Sequence, residues 1–420
     1  MTLSKVADHS WKLVYRTGGS MALHTHDSRR MSTLSPGVDH IDCLDGLRGI
    51  AALWVFLSHA QILSGMRGLP VLSWGGLAVD LFMMLSGFLM AHHYRLRRAR
   101  EPWSRPSTWA VFWLRRWFRI APLYYLLLAV ALAIGPWVGE YRDAIAAVWP
   151  ATATQASRYT DQSLANLLLH LSFVFGTLPD YAFRTPLPDW SIGLEMQFYL
   201  AFPFLMLLFG KAGPLRAGLA VIAACLALRV AFPEFIHAFE MPAFLPIKLY
   251  VFTIGIWIAL SRGSGARGGM LLPLLVSVVA CAAILARDHA SESAGRLALV
   301  LVFFYLMDDG SLPASAALRR LLAALRQLLA TPLSRFSGDT SYGLYLVHLL
   351  VLIPVAGWLA QHPAYVQLPA AARFLACAVT AGTVSYAVAW LLFHAIEKNG
   401  IRAGKQVLET LRQRRIMGTA

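Results

Sequence analysis

The chain has 420 residues, 57% of them hydrophobic and 14% charged, and a mean hydropathy of +0.56. A soluble domain carries nearer a quarter charged residues, so this composition excludes a soluble enzyme or scaffold. Long apolar runs recur and the alternation of a transmembrane β-barrel is absent, which leaves an all-α, polytopic transmembrane bundle. The net charge of +15 does not point to nucleic acid, because the basic residues flank apolar runs, where positive-inside topology accounts for them. Cys43, Cys225, Cys281 and Cys377 lie in or beside apolar segments without CxxC pairing, and read as buried thiols rather than as a disulfide framework or a zinc site.

Residues 1–40 are polar and lack the apolar core of a signal peptide, so a mobile cytoplasmic extension is expected there. A first span is expected at 46–65 and a second at 75–94, followed by the most basic stretch of the chain. Between Arg95 and Arg119 there are eight arginines (95, 97, 98, 100, 105, 115, 116, 119) against one acid, Glu101. That loop belongs inside, and it places the N-terminus inside as well. A third span at 117–135 then opens onto a nearly neutral outer segment, 136–163. The apolar run 164–175 has only twelve residues, closer to a re-entrant or interfacial segment than to a full crossing.

Further spans are expected at 189–209, 215–232, 245–261, 270–286, 296–308, 340–360 and 373–394. They make about ten crossings plus the short segment, with both termini cytoplasmic. A transmembrane domain over 41–398 and a basic cytoplasmic tail over 399–420 complete the organisation.

Leu44 to Ala60, LDGLRGIAALWVFLSHA, carries Asp45, Arg48 and His59 inside an apolar run. Eleven residues at 100° each bring Arg48 and His59 within about 20° of one helix face. At 1.5 Å per residue they stand roughly 16 Å apart along the axis, so that with Arg48 at the inner boundary His59 lies near mid-bilayer. Such a histidine either bonds a neighbouring helix or does chemistry; with Arg48 on its face and Asp45 placed to cap the helix, a general base is the stronger reading.

Other polar groups recur at comparable depth. Arg116 and Arg119 share a face at the membrane boundary and form a fork suited to phosphates, with Arg115 beside them; headgroup anchoring is the alternative. In WSIGLEMQFYL, Ser191, Glu195 and Tyr199 make a polar stripe, and Glu195 falls at about the depth of His59, so the two could face one pocket or Glu195 could serve helix packing. Trp190 marks the outer interface, where it could stack on a sugar or only anchor the helix. Asp80 and Ser86 are about 120° apart on their helix and do not converge on one site, which leaves a serine nucleophile unsupported; Ser86 and Gly87 suit close helix packing. Ser341, Tyr345 and His348 share a face entering from the inside, where they could line a donor channel or bond a neighbouring helix.

Set in order, LDGLRGIAALWVFLSHA, GLAVDLFMMLSGF, RRWFRIAPLYYL, WSIGLEMQFYL and SYGLYLVHLLVL, with FHAIEKNGIR closing the match near residue 400, resemble the acyltransferase-3 family of integral-membrane acyltransferases. The resemblance implies transfer of acyl groups, most often acetyl, onto extracytoplasmic glycans such as lipopolysaccharide O-antigen, exopolysaccharide or peptidoglycan, or onto small glycosides. It implies His59 and Arg48 as the family's Arg-x10-His pair, Arg116 and Arg119 as its Arg-x-x-Arg motif, and Ser86-Gly87-Phe88 as its Ser-Gly-Phe motif. Acyl-CoA, in the first instance acetyl-CoA, is then the co-substrate, with no bound cofactor and no metal. The bacterial cytoplasmic membrane is the expected location. Acceptor choice would rest with the outer segment 136–188 or with a partner protein. The rival reading is a proton-coupled transporter or glycan flippase using Arg48, His59, Asp80 and Glu195 as its pathway.

Overall fold

A computed structural model describes residues 41–262, 290–308, 312 and 314–417; the extension 1–40, the expected span 270–286 and Cys281 lie outside them. Every regular element among the described residues is helical. Those of eight residues or more are, in chain order, α1 (Cys43–Leu63), α2 (Gly75–Arg97), α3 (Pro106–Val148), α4 (Leu164–Leu171), α5 (Trp190–Ala212) and α6 (Pro214–Ala231). There follow α7 (Leu245–Ser261), α8 (Ala290–Leu306), α9 (Ala316–Leu329), α10 (Pro332–Ala360), α11 (Ala370–Leu392) and α12 (Lys398–Met417). Seven helices among the described residues are long and apolar enough to cross a membrane: α1, α2, α3, α5, α6, α10 and the one beginning with α11. Of the other expected crossings, 245–261 coincides with the apolar 17-residue α7, and 296–308 overlaps α8, which ends at Leu306 and whose first turns are polar.

Three segments depart from the sequence expectation. The third span is the middle of a 43-residue helix, α3, about 64 Å long at 1.5 Å per residue and so about twice the hydrocarbon thickness. Pro122 and Pro136 lie inside it. They remove two backbone donors but do not end the helix, because both flanks are packed. Its far end is held by Arg142, whose guanidinium donates to Thr152 O, and by Gln162 Nε2, which returns to Leu132 O at 3.1 Å. The stretch 136–148, expected as outer loop, is therefore helix.

The stretch between the expected spans 296–308 and 340–360, which carries Arg319, Arg320 and Arg326, is also largely helical. In α9, Ser315 Oγ caps the Leu318 amide at 3.2 Å, and Leu318, Leu322, Leu325 and Leu329 recur at helical spacing. Leu322 and Leu329 are buried while Leu321 and Leu328 are exposed. The expected tail, last, is helix α12 as far as Met417, following a π-helical turn at Phe393–Glu397, and Gly400 and Gly404 bring it against Phe118 of α3. The short run 164–175 is α4, eight residues capped by Ser163 and stopped by Phe173 in the left-handed region at φ 60°.

Close helix crossings hold the site-bearing elements in register. α1 packs along α10, and α2 along α7. A Cβ on Gly49 of α1 would stand 2.6 Å from the Cβ of Ser337 on α10, so only glycine permits that approach. Gly87 of α2 meets the Phe252 main chain of α7, and Gly255 of α7 meets the Met84 carbonyl of α2. Between α5 and α7, Phe198 stacks on Phe252 with ring centroids 4.1 Å apart, part of one continuous buried apolar cluster.

Candidate active site

α1, α2, α3, α5, α7 and α10 enclose a cavity of about 860 Å³, its open mouth included, within the usual size of small-molecule sites. One end is cationic. Arg48 from α1 and Arg116 and Arg119 from α3 line it, and among the described residues none of the three forms an ion pair. Arg116 lies over the rings of Phe112 and Tyr199, at 5.9 and 5.8 Å, and its Nε is buried without a partner. A desolvated guanidinium is stabilised by an anion or by several acceptors, so the chemistry of this end suits an anionic group.

Arg115 belongs elsewhere. Its two terminal nitrogens donate to the two oxygens of Glu101 at 3.0 and 2.8 Å. These bonds hold the Glu101 carboxyl below the ordinary carboxylate range. The expectation that Arg115 joins the donor site is thereby corrected: it ties the basic loop to the start of α3.

Along the cavity wall, Glu195 accepts from Ser86 Oγ at 2.8 Å and from the Tyr199 hydroxyl. Trp113 Nε1 donates to Tyr199 O at 3.0 Å. Ser341 lines the cavity, but its hydroxyl is committed to Gly338 O of its own helix at 2.7 Å. At the other end Ser191 and Tyr345 meet: their hydroxyls are 2.6 Å apart, and Tyr345 donates to Pro188 O at 3.0 Å. The segment before α5 thus closes this end. Arg158 braces it, with Nε donating to Thr185 O at 2.9 Å and the guanidinium 3.8 Å from the Phe183 ring.

His59 and His348 lie beyond Tyr345. The rings of Tyr345 and His348 are 6.0 Å apart, and His348 Nε2 is 3.1 Å from His59 Nδ1. Of the two readings of His348, donor channel or bond to a neighbouring helix, the structure shows the second, and Glu195, expected at the depth of His59, bonds Ser86 of α2 and Tyr199 instead. α10 lies directly against α1, so its histidine meets His59, while the Glu195 carboxylate is occupied by Ser86 and Tyr199. Arg48 likewise stays with the cationic end, three helical turns from the imidazole it was expected to tune.

The remaining expected residues separate from the cavity. Asp80 is buried and accepts from Lys248 Nζ at 2.7 Å and Arg296 Nε at 2.8 Å, an ion-pair cluster of its own outside the lining. Trp190 packs against Ala182, Phe239 and Ala243 and is not among the cavity's lining residues, its direction on α5 being about 100° from that of Ser191. Asp45 sits inside the first turn of α1, which begins at Cys43, so it acts on the helix dipole rather than as the N-cap. Cys43 and Cys377 are buried and Cys225 is half-buried.

Two lining or neighbouring groups escaped the sequence reading. Tyr342 lines the cavity and donates to Ile120 O at 2.8 Å; its place beside Ser341 in SYGLYLVH was the available signal. Glu397, in the π-helical turn, is buried with Oε1 3.3 Å from where a Cβ on Gly343 would stand. No pattern in the sequence marks that turn.

Comparison with known proteins places this geometry. Residues 41–392 match a family described as an acyltransferase domain. The chain is 28% identical to acyltransferase MdmB of Streptomyces mycarofaciens over 351 residues, 76% of this chain and 81% of that protein. It is also 28% identical to O-acetyltransferase OatA of Staphylococcus aureus over 202 residues, 44% of this chain and 27% of that one. No solved structure matches it.

Proposed function

The chain belongs to the acyltransferase-3 family of membrane acyltransferases, and on that premise we propose that it moves an acyl group, acetyl in the first instance, from cytoplasmic acyl-CoA to a hydroxyl of an extracytoplasmic glycan or glycoside. The supporting observation is the polarity of one cavity: three arginines without carboxylate partners at one end, and at the other a tyrosine beside a histidine pair. Positive-inside topology puts the arginines on the cytoplasmic side with both termini. The names of MdmB and OatA support acyl transfer, and that of OatA transfer of acetyl to oxygen.

In this mechanism Arg48, Arg116 and Arg119 hold the phosphates of coenzyme A. The pantetheine arm runs past Ser86 and Glu195 toward Tyr345, over roughly the 16 Å that separates Arg48 from His59 along α1. His59 takes the proton of the acceptor hydroxyl as its oxygen attacks the thioester carbonyl. The C–S bond breaks, the C–O ester bond forms, and the proton on His59 passes to the departing thiolate to give free coenzyme A. Ser191 and the segment 157–188, which closes the Tyr345 end, contact the acceptor.

Membranes containing the protein, incubated with acetyl-labelled acetyl-CoA, test the proposal. Label is expected in the glycan fraction, released as acetate by mild alkali, and is expected to fall to background in His59→Ala. Labelling unchanged by that substitution would remove His59 from the mechanism.

A further inference from the structure

His348 is buried, 1% exposed, whereas His59 is half-buried. A residue so enclosed does not reach a substrate, so whatever His348 does it does through His59. The contacts of the two rings determine what that is. His348 Nδ1 stands 2.7 Å from the carbonyl of Tyr345, and a carbonyl oxygen only accepts, so this nitrogen carries a proton. In the neutral ring Nε2 is then an acceptor, and it faces His59 Nδ1 at 3.1 Å. His59 Nδ1 also stands 3.0 Å from Val55 O, a second pure acceptor. Two acceptors on two helices therefore ask the same nitrogen for a proton.

We infer that His348 is a positioning residue which holds His59 in the Nδ1-protonated tautomer, leaving His59 Nε2 as the lone-pair nitrogen that meets the acceptor hydroxyl. The relay runs Tyr345 C=O, His348 Nδ1–H, His348 Nε2, His59 Nδ1–H. When His59 Nε2 takes a proton, the Nδ1–H bond to His348 strengthens and stabilises the imidazolium, as a carboxylate does in a hydrolytic triad. No charge transfers to His348 and no bond to it is made or broken. The group that takes this duty is a neutral imidazole whose own tautomer is set by main chain. Phe56 closes the far side of the His348 ring edge-on, with centroids 6.5 Å apart, which keeps water from competing for Nε2.

This inference rests on the proposed role of His59 as base, and its test separates the two. His348→Leu removes the acceptor, and His348→Gln restores one near the position of Nε2. Both are purified in detergent and retained only if their elution profile is that of wild type. The expected result is a fall in kcat on the order of 10²–10⁴-fold for His348→Leu with KM for acetyl-CoA unchanged, and substantial recovery in His348→Gln. Independently of turnover, ¹⁵N spectra of histidine-labelled protein in lipid, with the His59 signal assigned by its loss in His59→Gln, are expected to show His59 protonated at Nδ1 in wild type and His348→Gln and a mixture of tautomers in His348→Leu. Equal losses of kcat in the two variants, a rise in KM in place of a fall in kcat, or a wild-type His59 protonated at Nε2 overturns the inference. Absence of any transfer by wild type, with the Nδ1 signature present, overturns the function and leaves the tautomer assignment standing.

Discussion

Replacing Arg116 isolates the cationic end of the cavity from its chemistry. Its guanidinium is already desolvated between Phe112 and Tyr199, with Nε buried and unpartnered, so a phosphate binds a group that needs no further ordering. A hydrogen bond to a charged group contributes about 1.5–3 kcal/mol, and at about 1.4 kcal/mol per decade its loss weakens donor binding about 10- to 150-fold. Arg116→Ala is therefore expected to raise KM for acetyl-CoA by that factor with kcat nearly unchanged. Arg116→Lys, which keeps the charge but not the fork, is expected to recover part of it. The decisive comparison uses S-acetyl-pantetheine, which has the thioester but lacks the nucleotide phosphates. Wild type is expected to use it poorly, and Arg116→Ala no worse than wild type. An equal penalty on both donors, or a loss confined to kcat, would refute phosphate binding by Arg116.

Four further expectations concern residues outside the cavity lining. Arg115→Ala is expected to leave KM for acetyl-CoA within about twofold of wild type, because a half-exposed pair with Glu101 contributes at most about 1 kcal/mol, measured by the same kinetics. Since Glu101's carboxyl is held below its ordinary value of 4.5, the pair's contribution is full above that pH and is lost as pH falls through the lower folded value. The small Tm difference between wild type and Glu101→Gln is thus expected to be constant from about pH 6 to 8 and to vanish in acid. Asp80→Asn removes the carboxylate that Lys248 and Arg296 share, Arg296 keeping Glu292 at 3.7 Å, and is expected to cost about 3–5 kcal/mol of stability, read as a lowered Tm with KM for acetyl-CoA unaltered in the protein that remains folded. Gly87→Val drives a side chain into the Phe252 main chain and is expected to abolish a monodisperse elution peak, whereas Gly210→Ala, which faces open space, is expected to elute as wild type.

The sequence was legible where a single helix or a single loop carried the information. Arg48 and His59 share a helix, and the Arg-x-x-Arg pair on α3, which lines one cavity, was readable for the same reason. What it did not disclose is which helices are neighbours. Equal depth made Glu195 a plausible partner for His59, yet depth fixes only the axial coordinate, and the partner is set by α10 lying against α1. The 43-residue α3 was shortened in the reading because Pro136 and a neutral composition resemble a loop, and only packing by Arg142 and Gln162 keeps that stretch helical. Arg115 was grouped with Arg116 and Arg119 by spacing, although its rotation on α3 turns it toward Glu101.

Oriented vesicles test the central claim most directly. Acetyl-CoA supplied to the face bearing Arg116 and Arg119, which the proposal makes the cytoplasmic face, is expected to acetylate a hydroxyl acceptor on the opposite face. The same donor supplied to that opposite face is expected to give none, and His59→Ala none from either side. Equal acetylation from both faces, or transfer that survives His59→Ala, would contradict a cavity that carries the acyl group from the arginines to the histidine pair.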